Sequence, residues 1–429
     1  MYYGWVILIA GSMGILASIP GQTMGVSVFT DHYIAAFQST RVGVSSAYMI
    51  GTLASALLIP LAGRWYDRSG ARITASVSAV MLALFLLFLS GSGFVTETLS
   101  TVFSLPPGVA GFAAAAAGFF GIRFFGQGVL TLVSRAMVVQ WFGSRRGLAV
   151  GILGIFTAFG FSYAPRPLQG LIDLFGWIGA LQFLAAVLVC LFLPLSILVY
   201  RSTPESCGMK IEEGMKRRIT RRPVIHDAEV SSTLAEAKRD LRYWILVLLL
   251  WFWGFYNTAV TFHVISIFSE VGRNTAYALG IFFPIALISV VSKFVSSWAS
   301  DRINLKWLII LHALSAAVSG LAVSLLALPA ARTLLIVSMG ISGGLFGMLN
   351  MISWPRLFGR KHLGAVSGFA MGWIVAGSAV GPWFFSVIFQ FTGGYRFAGT
   401  AGLAAGIIIA VCAAAVPFSR KSEAASCVH

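Results

Sequence analysis

The chain has 429 residues, of which 58% are hydrophobic and only 10% charged, with a mean hydropathy of +0.87. A soluble domain carries about 25% charged residues, so this composition excludes a water-soluble globular protein and defines a polytopic helical membrane protein. The formal net charge of +16 does not signal nucleic acid, because the basic residues cluster in alternate connections and the aromatics sit within or at the ends of apolar runs.

Twelve apolar runs follow one another, at residues 4–30, 42–63, 73–92, 110–138, 146–165, 177–200, 243–268, 276–299, 305–327, 332–353, 363–386 and 397–417. The first begins at Tyr2 with no basic stretch before it and no cleavage site, so it reads as a retained span. Pro20-Gly21-Gln22 interrupts it near mid-membrane. Proline frees a carbonyl and glycine loosens the turn. A helix broken beside a central site offers backbone groups to a substrate, and Gln22 is the candidate side chain there. A simple proline kink accounts for the same residues.

Between the second and third runs lies Gly63-Arg-Trp-Tyr-Asp67-Arg68-Ser-Gly70-Ala-Arg72. Arginines between two spans belong on the cytoplasmic side, the glycines permit a tight turn, and Asp67 can pair with an arginine or face a helix N-terminus. Charge bias alone requires neither the aspartate nor the glycines. In the fourth run Arg123 lies near mid-span, in Arg123-Phe-Phe-Gly126-Gln127-Gly128, and Arg135 lies near the cytoplasmic end as an interfacial anchor. A charge in the hydrocarbon region costs about 2.5–3.5 kcal/mol on insertion scales. Arg123 therefore either faces a central cavity or hydrogen-bonds carbonyls of neighbouring helices.

Gly147, Gly151, Gly160 and Pro165 of the fifth run recur as Gly364, Gly368, Gly377 and Pro382 of the eleventh, all at an offset of 217 residues. Asp67-Arg68 recurs as Asp301-Arg302 after the eighth run. Small residues at these intervals let helix backbones approach closely. Residues 201–242 form one long mixed-charge linker, in which Thr233 to Leu241 could lie as a short helix on the membrane surface. The expected organisation is a first six-helix bundle at 1–200, the linker at 201–242, a second bundle at 243–417 and a tail at 418–429. Two parallel halves are the pattern of a rocking transporter.

Twenty-two of the 30 basic residues fall in connections on the side of the termini and five on the other side, so both termini are expected in the cytoplasm. The remaining three are Arg123, Arg135 and Lys293. Lys293 lies in the cytoplasmic half of the eighth run. It reads as an anion ligand or as a lysine snorkelling to the interface. His263, late in the seventh run, is a hydrogen bonder or a proton carrier. Tyr256, Asn257 and Asn350 are candidate cavity groups or bridges between helices.

The 14 carboxylates include none at mid-span: seven lie in 201–242, and the rest lie in loops, at outer ends or in the tail. Carriers of cations need a buried counter-charge, and many proton-coupled carriers use a buried carboxylate. A cavity with cations and no anions should select an anion. Cys190, Cys207, Cys412 and Cys427 show no metal-ligand spacing. With no nucleophile–base set either, no cofactor, metal or enzymatic chemistry is expected.

The loop at Gly63 to Arg72 resembles the G-x-x-x-D-R-x-G-x-R signature of the major facilitator superfamily, and the stretch around Arg123 resembles a second motif of that superfamily. Thr203-Pro-Glu-Ser-Cys-Gly208, Thr233 to Trp244, His263, and Lys293 eight residues before Asp301 are together similar to the monocarboxylate transporter and oxalate/formate exchanger branch. The resemblance implies an all-α fold of twelve transmembrane helices in two pseudo-symmetric six-helix bundles. In that branch the position matching Lys293 usually holds an arginine that binds the substrate carboxylate. Arginine offers a fixed, permanently charged fork, whereas lysine is a point charge. The implied function is secondary transport of a small organic anion, most simply a monocarboxylate, by a monomer in the plasma membrane, the inner membrane of a bacterium. Protons are the candidate co-substrate, with Asp67 and Asp301 latching one state. Anion exchange, or export of larger amphipathic compounds, is the alternative.

Overall fold

The computed structural model describes residues 3–142, 146–204, 207–209, 232–300, 302–359 and 362–418, and among them no strand occurs. The first span divides where the sequence places its break. Helix α1 (Gly4–Ala17) leads through a single 3₁₀ turn, Ile19–Gly21, into α2 (Thr23–Ala36). Gln22 is extended at the junction, with φ −83° and ψ 155°.

The second and third spans run together as α3 (Arg41–Ser90), 50 residues that fold back at Gly70, where φ is 74°. That backbone strains any residue with a Cβ, and Ser202 Oγ stands 2.6 Å from where one would lie. The expected loop after the third span holds a further helix, α4 (Ser92–Val102). The fourth span is α5 (Pro107–Gly121) and α6 (Thr131–Trp141), joined by a π-helical segment, Ile122–Leu130. The fifth is α7 (Arg146–Tyr163). Next come α8 (Pro165–Val187), which folds at Gly176 with φ 69°, and α9 (Leu193–Val199), which ends the sixth span.

In the linker only one turn, α10 (Leu234–Ala237), is helical of the stretch expected at Thr233 to Leu241. Asp240 instead caps the next helix by accepting from Arg242 N at 2.8 Å. The second half contains α11 (Leu241–Phe262) with α12 (Val264–Ser269), α13 (Thr275–Leu279) with α14 (Phe282–Ser300), α15 (Leu305–Ser324), α16 (Pro329–Phe358), α17 (Leu363–Thr392) and α18 (Arg396–Ala415). Among the described residues nine helical stretches are long and apolar enough to cross a membrane. Two of them cross twice, by folding at Gly70 and Gly176, and the divided first span completes twelve crossings.

Apolar side chains gather into two cores. One runs from Ile7 to Tyr200 and the other from Ala237 to Phe418, with Phe262 of α11 packing into the first core and Met24 of α2 against the second. The outset of α1, the end of α18 and the Gly70 turn lie on one side, the terminal side, opposite the far side. The two bundles meet toward the far side. Tyr48 packs on Phe262 at 4.8 Å, Phe159 on Phe283 at 5.7 Å, and Ser45 Oγ lies 2.6 Å from Ser386 Oγ.

Candidate substrate site

The divided first span and the π-helical segment hold Arg123 between them. Gly21 sits so close to Gly126 and Gln127 that a Cβ there would lie 3.0 Å and 2.9 Å from their backbones. Arg123 is 1% exposed. Its Nε donates to Thr52 Oγ1 at 3.2 Å, and one terminal nitrogen donates to the Gly21 carbonyl at 3.1 Å, the acceptor that the break sets free. The guanidinium also lies 5.1 Å from the centre of the Tyr48 ring, whose hydroxyl is 2.9 Å from Thr23 Oγ1. These contacts are those of a group that ties the break to the second span. Gln22 turns away into the same bundle, donating to Ser18 Oγ at 3.0 Å and Thr131 Oγ1 at 3.3 Å.

The second bundle presents a bare strip. Gly343, Gly347 and Asn350 follow at helical spacing along one face of α16. Ser289 Oγ lies 3.0 Å and Trp253 Cζ2 4.0 Å from the Cβ position of Gly343, and Lys293 Nζ lies 3.8 Å from that of Gly347. Close approach sets this up: at Gly344 a Cβ would meet the α14 backbone, 2.5 Å from Ser289 O and 2.7 Å from Lys293 N. Lys293 is thereby laid along the strip with its side chain exposed, and it has no hydrogen-bond or ion-pair partner among the described residues. Beside the strip Trp253 stacks on Phe346 at 3.7 Å. A small, partly open recess with room for about one water is lined by Trp253, Tyr256, Asn257, Ala316, Ser319, Met339 and Ser342. Tyr256 donates to Ser319 O at 3.3 Å, and Asn350 Oδ1 accepts from Trp354 Nε1 at 3.3 Å. Lys293, Asn257, Tyr256 and Asn350 are thus brought to one region, on α14, α11 and α16.

His263 is placed elsewhere. It ends α11 on the far side, fully enclosed, with Nε2 2.8 Å from Pro382 O and 3.1 Å from Ser386 Oγ, and Nδ1 3.3 Å from Tyr395 OH. Through Ser386 it supports the hydrogen bond to Ser45 that crosses between the bundles. On the terminal side the signature residues stand apart. Asp67, Arg68 and Arg72 are exposed, and Gly63 faces open space. Arg302 lies over the Trp298 ring at 4.0 Å. Asp301 falls outside the described residues.

No carboxylate is buried among the described residues. Asp31 pairs with Arg41 at 2.7 Å and Glu270 accepts from Tyr395 N at 2.9 Å, both near the far surface. Sequence reasoning passed over Trp253, Ser342 and His312. A tryptophan or serine in an apolar run carries no signal of its own. His312, a lone histidine amid Leu-His-Ala-Leu, could have been flagged by the same cost argument as the buried cations.

Two membrane-embedded bundles that touch on one side around a polar, partly cationic interior define a transporter fold. The Major Facilitator Superfamily model matches residues 6–356, and the chain belongs to that superfamily. It is therefore a multi-pass membrane protein of a family of transporters rather than, as a rule, enzymes. No curated protein sequence matches it. Among solved structures it is similar to a bacterial homolog of the human lysosomal transporter Spinster, in an inward-facing and occupied conformation (14% identity, 96% of each chain covered, TM-score 0.65). It is also similar to the nucleoside transporter NupG (11%, 95% of this chain and 99% of that one, 0.63) and to a D-xylose–proton symporter (17%, 95% and 97%, 0.61). At these identities the likeness is one of fold.

Proposed function

We propose that the protein is a secondary transporter of a small organic anion, a monocarboxylate in the first instance, working by alternating access between the two bundles. The observation that carries this reading is Lys293, an unpaired cation lying on the bare strip of α16 in an interior with no buried acid among the described residues. An isolated ammonium at this depth is disfavoured by about 2.5–3.5 kcal/mol, and an incoming carboxylate offsets that. Asn257, Tyr256 and Asn350 are placed to read the remainder of a small molecule, with Trp253 as an apolar wall. Arg123, already committed to Gly21 and Thr52, holds the first-span break and adds positive potential without contacting cargo. The excess of basic residues on the terminal side supports a cytoplasmic location for both termini.

Proton coupling suits such a cargo: an anion moving alone works against an inside-negative membrane, and a proton moving with it cancels the charge. The exposed Asp67 loop is then the latch of the state closed on the terminal side. The test is uptake of labelled formate, acetate, lactate, pyruvate and oxalate into proteoliposomes. Loss of a charge-assisted hydrogen bond in Lys293→Ala raises the half-saturating concentration by about tenfold to a hundredfold, and Lys293→Arg retains transport. Unaltered uptake in the alanine variant removes the assigned ligand. Competition by amphipathic drug-like compounds alone favours an exporter.

A further inference from the structure

His312 of α15 is 0% exposed, and its Nδ1 lies 3.2 Å from Ser342 Oγ of α16. Its other ring nitrogen, Nε2, is buried with no hydrogen-bond partner among the described residues. A neutral imidazole has one N–H and one lone pair, so one edge of this ring is unmatched in either tautomer. Buried polar atoms left unmatched lower stability. A leucine would fill the site without that cost. Ser342 also lines the recess with Trp253, Tyr256 and Asn257. One hydroxyl therefore separates a buried, titratable ring from this recess.

We propose that His312 takes up the co-transported proton and that Ser342 relays it between the cavity and the ring. The inference rests on the organic-anion reading above. In the step itself, a hydronium in the recess gives a proton to Ser342 Oγ while the serine hydroxyl gives its own to Nδ1; the hydronium is left as water and the ring becomes an imidazolium. The reverse exchange on the opposite side of the membrane returns the proton to water. Only O–H and N–H bonds form and break, and one proton moves with one carboxylate.

The charged and titratable groups on the helices near α15 are few. From α18 come Arg396 at its outset and the exposed Cys412. From α16 come Arg332 and Arg356, at opposite ends, the latter donating to Ser300 O at 2.8 Å. On α15 itself Lys306 donates to Ala414 O near the terminal side. From α11 comes the Tyr256 phenol, engaged with Ser319 O. From α14 comes Lys293. No carboxylate faces the ring from any of these helices among the described residues. Lys293 opposes a second positive charge while the cavity is empty. A bound anion reverses that balance, so anion and proton raise each other's affinity by the same factor.

The experiment compares two modes of transport for the acid, among formate, acetate, lactate, pyruvate and oxalate, that the unaltered protein takes up fastest. Counterflow exchanges labelled for unlabelled acid and needs no net proton movement, whereas accumulation driven by an imposed pH gradient does. His312→Gln should abolish gradient-driven accumulation while counterflow persists and becomes insensitive to pH. Ser342→Ala should slow accumulation more than counterflow. Accumulation that survives in His312→Gln, or parallel loss of both modes in His312→Gln and in Ser342→Ala, would overturn this inference and leave the anion reading standing. No uptake of any acid by the unaltered protein would overturn both.

Discussion

A leucine placed at Gly368 should separate the two ends of the seam between the bundles. Gly368 lies on α17 eighteen residues before Ser386, and Gly63 lies on α3 eighteen residues after Ser45. Eighteen residues are five helical turns, about 27 Å, so each glycine shares a face with its serine. The serines touch at 2.6 Å on the far side, whereas a Cβ at Gly63, Gly368 or Gly372 would meet no atom within 4 Å. Gly368→Leu therefore introduces no clash in this conformation, and replacing a helical glycine gains about 1 kcal/mol in either state. In the alternating-access cycle proposed above, closure on the terminal side brings the two bare faces together. Overfilling a close-packed contact costs about 1–3 kcal/mol, which shifts the balance about 5- to 150-fold toward the conformation described here. Initial uptake rates in proteoliposomes should fall by a comparable factor, with the melting temperature unchanged or raised. Spin labels on the terminal ends of α3 and α17 should report the long separation more of the time. Gly63→Leu should act alike, and the double variant should fall short of additivity because both side chains contend for one gap. Full uptake by Gly368→Leu at normal yield would refute the reasoning, as would a lowered melting temperature.

Arg123→Met strands the Gly21 carbonyl and Thr52 Oγ1 in a dry interior, at a cost of about 1–3 kcal/mol. The purified variant should melt earlier and Arg123→Lys should recover part of the loss; an unshifted melting curve would count against the tie to the break. In the linker the Thr233 backbone N–H, and then its hydroxyl, hold the Glu236 carboxylate below its ordinary range. A lowered value means the cap is intact at neutral pH and is lost as the pH falls through that value. The protection factor of the α10 amides, corrected for the intrinsic slowing of exchange in acid, should fall on acidification, and Glu236→Gln should remove the dependence.

The spans were legible because each is a long apolar run, and the break in the first was legible because proline and glycine leave a chemical mark at Pro20-Gly21. What escaped was everything set by partners distant in sequence. Nothing in the run around Arg123 announces a π-helical segment, since that backbone is chosen by packing against Gly21 and by the carbonyl the guanidinium must reach. Gln22 looks free in sequence, but Ser18 and Thr131 absorb its amide. The helical content of the loop after the third span was hidden for a different reason: Ser92–Val102 has too many hydroxyl residues to read as apolar and too few turn residues to read as a loop. Lys293 stood out because a cation at depth is costly wherever it points, and only the structure shows the glycine face that receives it.

The Gly70 turn carries one more implication. Ser202, just past the end of α9, accepts a hydrogen bond from Ala71 N at 2.9 Å and fills the space that a side chain at Gly70 would occupy. The signature hairpin and the residues that follow α9 therefore form one corner. A displacement of the chain just beyond α9 is therefore felt directly at the turn between the second and third spans.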